Sequence, residues 1–233
     1  VKPRVQIPEA AGHAIDSYGY QVKTGEKIFA AEGAFGQFMI GFREIPVVIG
    51  ITSGTASEKI ADICQKYILK AVEAPKSTEE ERTALRKKEA DLCLPMPDGE
   101  NVPEELYWKV KGRKIFFGVN PRNVRWVKLD KLGDGMLRIT ADLQGEEKEL
   151  TAGLKKWVRN DLYPDDFRKE YHCLSFAYSD EKLVIADSMI NTSYREVYTL
   201  DFHGKMRGAW QPNVTYLDNN DCSPREFDIN IEK

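Results

Sequence analysis

The sequence predicts an α+β protein in two parts, in which a partial antiparallel sheet with a C-terminal helix precedes an all-β antiparallel barrel or sandwich. Three observations favour this fold class. Strand-type runs fill residues 18–54, a helical run follows them, and short alternating runs separated by turn residues continue from about Leu106. We therefore expect a first domain at 1–74, a linker with a charged helix at 75–105, and an antiparallel β-domain at 106–233.

The first domain contains the strand-like runs YGYQV, KIFAAEG, QFMIGF and PVVIGITSG. A polar segment at 23–26 separates the first two runs and predicts a turn, since Gly25 adopts positive φ without strain. The last run is almost continuously apolar, which is typical of a strand covered on both faces.

A helix is predicted over 55–72, TASEKIADICQKYILKAV, in which Thr55 and Glu58 have the form of a capping box. Apolar side chains recur at helical spacing on one face: Ile60, Ile63, Cys64, Tyr67, Ile68, Ala71 and Val72. We expect this face to lie against a sheet or another helix. Within the linker, STEEERTALRKKEADL predicts a solvated helix with Ser77 as its cap.

The second domain shows the alternation of half-buried strands, as in MLRITADL and REVYTLDF, with turn residues such as Asp134-Gly135 between them. The spacing predicts about eight to ten strands. All four tryptophans fall in this domain: Trp108, Trp126, Trp157 and Trp210. We interpret them as core residues, the alternative being an exposed platform for carbohydrate or peptide.

The composition is that of a globular chain without a strong charge bias. The 233 residues are 42% hydrophobic and 30% charged, with a formal net charge of −3 and a pI near 5.8. This balance does not favour nucleic acid as a partner. No apolar run approaches the roughly 18 residues of a membrane-spanning helix. We therefore expect neither a nucleic-acid partner nor a membrane span.

The cysteines and histidines are too scattered to suggest a metal site or a cofactor. Cys64, Cys93, Cys173 and Cys222 form no Cys-x-x-Cys pair, and His13, His172 and His203 are far apart. Reduced thiols are typical of a cytoplasmic protein, here a bacterial one, although disulfides and a periplasmic or extracellular location stay open. The opening VKPRVQIPEAAG suggests that an N-terminal segment is missing.

Two short motifs match those of penicillin-recognising enzymes, Lys-Thr-Gly at 23–25 and Ser-x-x-Lys at 179–182. Neither has the required context. The first triplet is predicted to lie in a turn rather than on a strand, and Ser179 is predicted to lie at a hairpin rather than at the start of a buried helix. We therefore assign no catalytic residue to this chain.

A longer stretch nevertheless resembles a known family. Tyr18-Gly19-Tyr20-Gln21, a hairpin, and then the segment EGAFGQ at 32–37 resemble the C-terminal end of serine beta-lactamase-like hydrolases, the class C-related penicillin-binding and esterase-type enzymes. The strand pair and helix that follow keep the family's order, and the β-rich tail is similar to an accessory domain that some members carry. The nucleophile helix and the tyrosine element of the family are absent.

The resemblance implies that this chain is the C-terminal part of a larger hydrolase. The parent would hydrolyse a small-molecule amide or ester through a serine acyl-enzyme, and this chain alone would be inactive. The family's substrate-pocket strand would correspond to Glu32, Gly33, Ala34, Phe35, Gly36 and Gln37, where a backbone N–H helps to stabilise the oxyanion. The alternative for these residues is a glycine bulge or tight turn without a ligand.

Two hypotheses about partners follow. In a hydrolase fragment, the N-terminal sheet would lack its covering helices and would either self-associate or be held by a missing N-terminal segment. The competing hypothesis is a non-enzymatic protein whose β-domain binds a ligand or partner and whose α/β part is a small cap. An open, aromatic-lined cavity in the β-domain would favour ligand binding, whereas a filled interior would favour a structural role.

Overall fold

The computed structural model describes residues 5–6, 13–55, 59–143, 145–165, 168–216 and 220–233. The chain divides into two compact units, Val1–Leu94 and Pro95–Lys233. The division falls inside the predicted linker, residues 75–105.

The first unit contains a six-stranded antiparallel sheet whose strands neighbour one another in chain order. The strands are β1 (Val5–Gln6), β2 (Ser17–Gly19), β3 (Val22–Thr24), β4 (Ile28–Gly33), β5 (Gln37–Phe42) and β6 (Val48–Ile51). Lys23 and Thr24 belong to β3, so the turn predicted at 23–26 lies slightly later, between Thr24 and Ile28, where the backbone N–H of Gly25 donates to the carbonyl oxygen of Ile28 at 2.9 Å. A further turn, which was not predicted, falls at Tyr20 and Gln21, whose φ values are 54° and 61°, and it divides the run YGYQV between β2 and β3. Two-residue hairpins need positive φ, and no glycine or asparagine marks this one in the sequence.

Helix α1 (Ile60–Glu73) supplies much of the cover for one face of this sheet. The helix begins after Lys59 without a side-chain cap, so the capping box predicted for Thr55 is wrong; Glu58 lies outside the described residues. The backbone N–H of Thr55 instead donates to the carbonyl oxygen of Phe35, at 3.2 Å.

The packed face of α1 differs from the predicted one. Ile60, Ala61, Cys64, Ile68 and Leu69 contact the core. By contrast, Ile63, Tyr67 and Val72 each have more than half of their surface exposed. The helical period shows that an apolar stripe exists, but the position of the sheet decides which side of the stripe is covered.

The next two helices also depart from expectation. Helix α2 (Glu79–Ala90) has no buried residue, as its composition indicates, but its capping box joins Thr78 to Glu81 rather than starting at Ser77. Helix α3 (Glu104–Val110) lies where continuous β-structure is predicted from Leu106 onward. Two short turns of helix are too brief for a helical period to stand out from its neighbours.

The second unit is a β-barrel built from ten strands that follow one another around the sheet in chain order. They are β7 (Ile115–Phe117), β8 (Val124–Gly133), β9 (Met136–Leu143), β10 (Glu146–Leu154), β11 (Val158–Asp165), β12 (Arg168–Ser179), β13 (Lys182–Met189), β14 (Arg195–Asp201), β15 (Arg207–Pro212) and β16 (Arg225–Ile231). Strand β16 pairs with β7, and β10 pairs with β12 in parallel, so that nine strands form a closed ring. The prediction of a barrel is therefore confirmed.

Strand β11 lies beside the seam between β10 and β12, and a side chain completes the pairing there. Asn160 Oδ1 accepts a hydrogen bond from the backbone N–H of Thr151, at 2.7 Å, and Asn160 Nδ2 donates to the carbonyl oxygen of Thr151, at 2.9 Å. The amide thus satisfies both backbone groups of Thr151, as a neighbouring strand would.

The barrel has one contiguous core, which Val102, Leu106 and Val110 of the α3 region join. The tryptophans are not uniformly part of the interior. Trp126 and Trp210 are buried, Trp157 is half-buried, and Trp108 is 62% exposed. The core interpretation is thus wrong for Trp108. Among the described residues, no helix combines the length and hydropathy that a membrane crossing requires.

Candidate functional site

A cavity of about 230 Å³ lies inside the barrel. Aliphatic side chains from several strands form most of its wall; they include Val127, Ile139, Ala141, Leu150, Leu174, Ile185 and Leu200. Phe117 and Tyr198 are its aromatic members. Barrels of about this strand number are wide enough to be filled by side chains or to hold one small ligand, and this one is not completely filled.

The polar lining residues of β12, β13 and β14 gather at one end of these strands. Glu170 and His172 lie early in β12, Asp187 lies late in β13, and Glu196 and Tyr198 lie early in β14. The strands are antiparallel, and the register pairs Asp187 with Glu196. The opposite ends of the same strands carry fully buried apolar residues such as Phe176 and Leu183. We call the first region the polar end.

The loop between β7 and β8 places a cation at the polar end. Asn120 organises this loop: its Nδ2 donates to the carbonyl oxygens of Gly118 and Val124, both at 2.8 Å, and its Oδ1 accepts from the N–H of Val124. Arg122, two residues further on, forms an ion pair with Glu196, which is only 2% exposed. Buried carboxylates require such partners.

Glu196 also affects a tyrosine. The Tyr198 hydroxyl donates to Glu196 Oε2 at 3.3 Å. Burial, and next the negative charge of Glu196, raise the pKa of Tyr198 well above its usual value. The hydroxyl therefore stays protonated and acts as a hydrogen-bond donor in this structure.

His172 lies between two carboxylates. Its Nδ1 is 2.7 Å from Asp187 Oδ2, and its Nε2 is 3.6 Å from Glu170 Oε2. Burial alone would lower the pKa of His172, but Asp187 and Glu170 outweigh this effect and raise it. For Asp187, burial raises the pKa of the carboxyl group, and the hydrogen bond with His172 opposes that change.

Two polar atoms of the His172–Asp187 pair remain without a hydrogen bond. His172 Nε2 and Asp187 Oδ1 are both buried, and neither has a hydrogen-bond partner within the part of the chain that the structure describes. Both residues line the cavity. Leaving a buried polar atom unbonded costs roughly 1–3 kcal/mol, so the pair is a costly arrangement for a barrel stabilised by packing alone.

The polar end is also where the cavity comes close to solvent. The side chains of Arg122 and Glu170 are 41% and 44% exposed. A shallow depression of about 540 Å³, lined largely by the β7–β8 loop, shares Phe117 and Val124 with the cavity. The cavity is thus apolar over most of its wall, and its charged lining residues Arg122 and Glu170 are partly exposed.

The site predicted at 32–37 lies in the first unit. Glu32 and Gly33 end β4, Ala34, Phe35 and Gly36 form the turn, and Gln37 starts β5. Phe35 and Gly36 have positive φ values of 61° and 80°. This geometry explains the glycine at 36 as a turn residue. Its role at a substrate pocket stays a prediction.

The side chains around this turn are engaged within the unit. Ser53 Oγ lies 2.9 Å from the carbonyl oxygens of Phe35 and Gly36, and Gln37 Nε2 donates to the carbonyl oxygen of Ser53 at 2.5 Å. Glu32 pairs with Lys23. These contacts stabilise the turn.

For the two short motifs, the structure contradicts one predicted location and confirms the other. Lys23 and Thr24 lie on strand β3, so that argument against the Lys-Thr-Gly triplet is wrong. Ser179 is the last residue of β12, immediately before a tight turn at Asp180 and Glu181. The hairpin location predicted for Ser179 is therefore confirmed.

The residues of the polar end are not among those predicted from the sequence to form a site. A usable signal was present, since Asp187 stands in the inward-facing series of Leu183, Ile185 and Met189, where an apolar residue is expected. His172 breaks the corresponding apolar series in β12. Charged residues at inward positions of adjacent strands would have pointed to this region.

No group of three or more His, Cys, Asp or Glu side chains in the described residues is placed to hold a metal ion. No protein-family model matches the chain, and no curated protein shows significant similarity to it.

Proposed function

We propose that the barrel unit binds a small molecule in its cavity, with the apolar body of the ligand against the aliphatic wall and a polar group at the His172–Asp187 pair. The observation that carries this proposal is the presence of two buried, unbonded polar atoms on the lining of an incompletely filled chamber. A purely structural core would be expected to bury apolar side chains or fully bonded polar groups.

The volume limits the size of the ligand. An apolar cavity of about 150 Å³ in another protein holds benzene. The present cavity, at about 230 Å³, has room for a molecule somewhat larger than benzene. A long lipid chain or a peptide would not fit inside without expansion of the barrel.

Filling the cavity tests the proposal. Ala141 is 3% exposed and lines the chamber, so Ala141→Leu should occupy part of its volume. We expect ligand-observed NMR with small aromatic and aliphatic fragments to show binding to the wild-type chain and at least about tenfold weaker binding to this variant, as lost apolar contact predicts.

The matched control is Ala209→Leu. Ala209 neighbours the inward-facing Trp210 on β15 and therefore points to the other side of the sheet. Binding should be unchanged in this variant. Equal fragment binding by the wild-type chain and Ala141→Leu would contradict the proposal.

We also propose that the first unit contributes residues 32–37 to the substrate pocket of a serine beta-lactamase-like hydrolase whose nucleophile lies on other polypeptide. The face of the sheet opposite α1 exposes Phe29, Met39 and Val48, an observation that concerns the partner of this unit rather than its chemistry. Such a face is suited to self-association or to cover by a further segment. The substrate would be a small amide or ester.

This second proposal predicts no acyl-enzyme on the present chain. Mixing it with p-nitrophenyl acetate should release no rapid burst of p-nitrophenol, because no serine here has an activating partner assigned to it. A burst equal to the protein concentration, abolished in Ser179→Ala, would show that the short Ser-x-x-Lys match is a nucleophile after all.

A further inference from the structure

We propose that the ligand of the barrel cavity carries a primary ammonium group, bound by Asp187 Oδ1, on a short apolar body. This inference rests on the proposed ligand-binding function of the barrel and specifies the chemical class of the ligand. The charge balance, the hydrogen-bonding geometry and the shape of the cavity each support it.

The polar end has an excess of negative charge among the described cavity-lining residues. Three carboxyl groups, those of Glu170, Asp187 and Glu196, face two cationic groups, Arg122 and His172. Arg122 is paired with Glu196, and His172 is shared by the other two carboxyl groups. A cationic ligand group would balance the remaining charge, whereas an anionic one would add to it.

Asp187 Oδ1, the unbonded oxygen at the cavity, needs a hydrogen-bond donor. A carboxylate oxygen such as Asp187 Oδ1 can only accept hydrogen bonds. His172 Nε2 lies 3.6 Å from Glu170 Oε2; it is a donor toward that carboxylate in the protonated ring and an acceptor only in the neutral ring. An ammonium group carries three donors and no acceptor, so it can satisfy Asp187 Oδ1 in either protonation state of His172.

The wall of the cavity determines the chemistry of the part of the ligand that lies beyond the ammonium group. Among the described residues, the aliphatic lining offers no further charged group away from the polar end. An alkyl or arylalkyl substituent on the amine would lie against this wall and gain hydrophobic free energy in proportion to its buried area. The ligand is therefore a small monoamine with one apolar side.

A carboxylate ligand bound through Arg122 is the main alternative. The Arg122 guanidinium already pairs with Glu196, and a second carboxylate there would lie in a region that contains Glu170 and Asp187 as well. Like charges at close range in a partly desolvated site repel strongly. The observations therefore favour the amine.

Three probes of similar size separate these possibilities: phenethylamine, 2-phenylethanol and phenylacetate. Ligand-observed NMR titration of the wild-type chain should show that the amine binds at least about tenfold more tightly than the alcohol, since a charge-assisted hydrogen bond replaces a neutral one. Phenylacetate should bind more weakly than either. This ranking needs no variant.

Asp187→Asn then tests the residue that is assigned to the ammonium group. The change keeps the size of the side chain and removes its charge, so the amine should lose at least about tenfold in affinity while the alcohol changes by less than about twofold. Asp228→Asn is the matched control, because Asp228 is an exposed aspartate of β16. It should change the binding of none of the probes.

The outcomes distinguish the two levels of the argument. Tighter binding of the alcohol or of phenylacetate to the wild-type chain would overturn the amine assignment and leave ligand binding intact. Equal loss of amine and alcohol in Asp187→Asn would likewise overturn the role of Asp187. Failure of all three probes, together with no effect of Ala141→Leu on any fragment, would overturn ligand binding itself.

Discussion

Buried ionisable side chains determine the chemistry of the barrel's polar end. Glu196 is 2% exposed and His172 is 8% exposed, and each is held by a partner of opposite charge or by a hydrogen bond. Removing charges from water is costly unless pairing compensates for it. Pairing among these residues therefore compensates for their burial, and it places them on the lining of the cavity.

His172 predicts how stability depends on pH. Burial lowers its pKa, but Asp187 and Glu170 outweigh burial, so the folded-state pKa lies above the ordinary value of 6.5. Protonated His172 therefore contributes its full stabilisation at pH values below its pKa in the unfolded chain. This contribution is lost as the pH rises through its pKa in the folded chain. Urea unfolding of the wild-type chain should show a falling free energy of unfolding across that interval.

His172→Gln should remove the part of the decline in unfolding free energy that comes from the titration of His172. His203→Gln changes an exposed histidine and should leave it in place. The raised pKa of Asp187 acts in the same direction at lower pH, and the charges of Glu196 and Arg122 also influence it. Parallel pH profiles for the wild-type chain and His172→Gln would contradict the prediction.

At the level of secondary-structure elements, the turn between β4 and β5 shows how the first unit positions its glycines. A Cβ added at Gly36 would lie 2.2 Å from Ser53 Oγ and 2.9 Å from a methyl carbon of Ile60, and φ there is +80°. At Gly50, in β6, a Cβ would have no atom within 4 Å. The two positions therefore form a matched pair.

Gly36→Ala should destabilise the sheet by about 2 kcal/mol through backbone strain and crowding. Gly50→Ala should be neutral or stabilising by up to about 0.5 kcal/mol, because alanine restricts the unfolded chain. Hydrogen exchange of the Ile40 amide, measured by NMR under conditions in which exchange requires unfolding of the sheet, reports both effects. Equal exchange in the two variants would show that the turn tolerates a side chain.

At the level of the whole molecule, the chain has two separate hydrophobic cores that share no residue. In the first unit, one face of the sheet packs on α1, while Phe29, Met39 and Val48 lie exposed on the other. In the second unit, the barrel closes on itself through β16–β7 and β10–β12. The proposals divide in the same way, since ligand binding concerns the barrel and the hydrolase pocket concerns the sheet.

Local sequence features were sufficient for much of the architecture. Strands with period-two alternation, such as Met136–Leu143, and a turn such as Asp134-Gly135 were predictable because they depend on residues close together in the chain. The predicted boundaries of helices and strands were wrong where local signals were weak or misleading, as at Thr55, at the Tyr20–Gln21 turn and in α3. The resemblance to serine hydrolases predicts a pocket at residues 32–37 and none in the barrel.

By itself, the sequence determined that this is an α+β protein in two parts, with a strand-rich C-terminal half, because apolar periodicity and turn residues act over a few residues. Only the tertiary structure decided that Arg122 meets Glu196, 74 positions away, and that His172 meets Asp187 beside a chamber. Strand register and barrel closure set these contacts. Charge pairing and cavity volume follow from the closed sheet as a whole, which no local pattern of residues specifies.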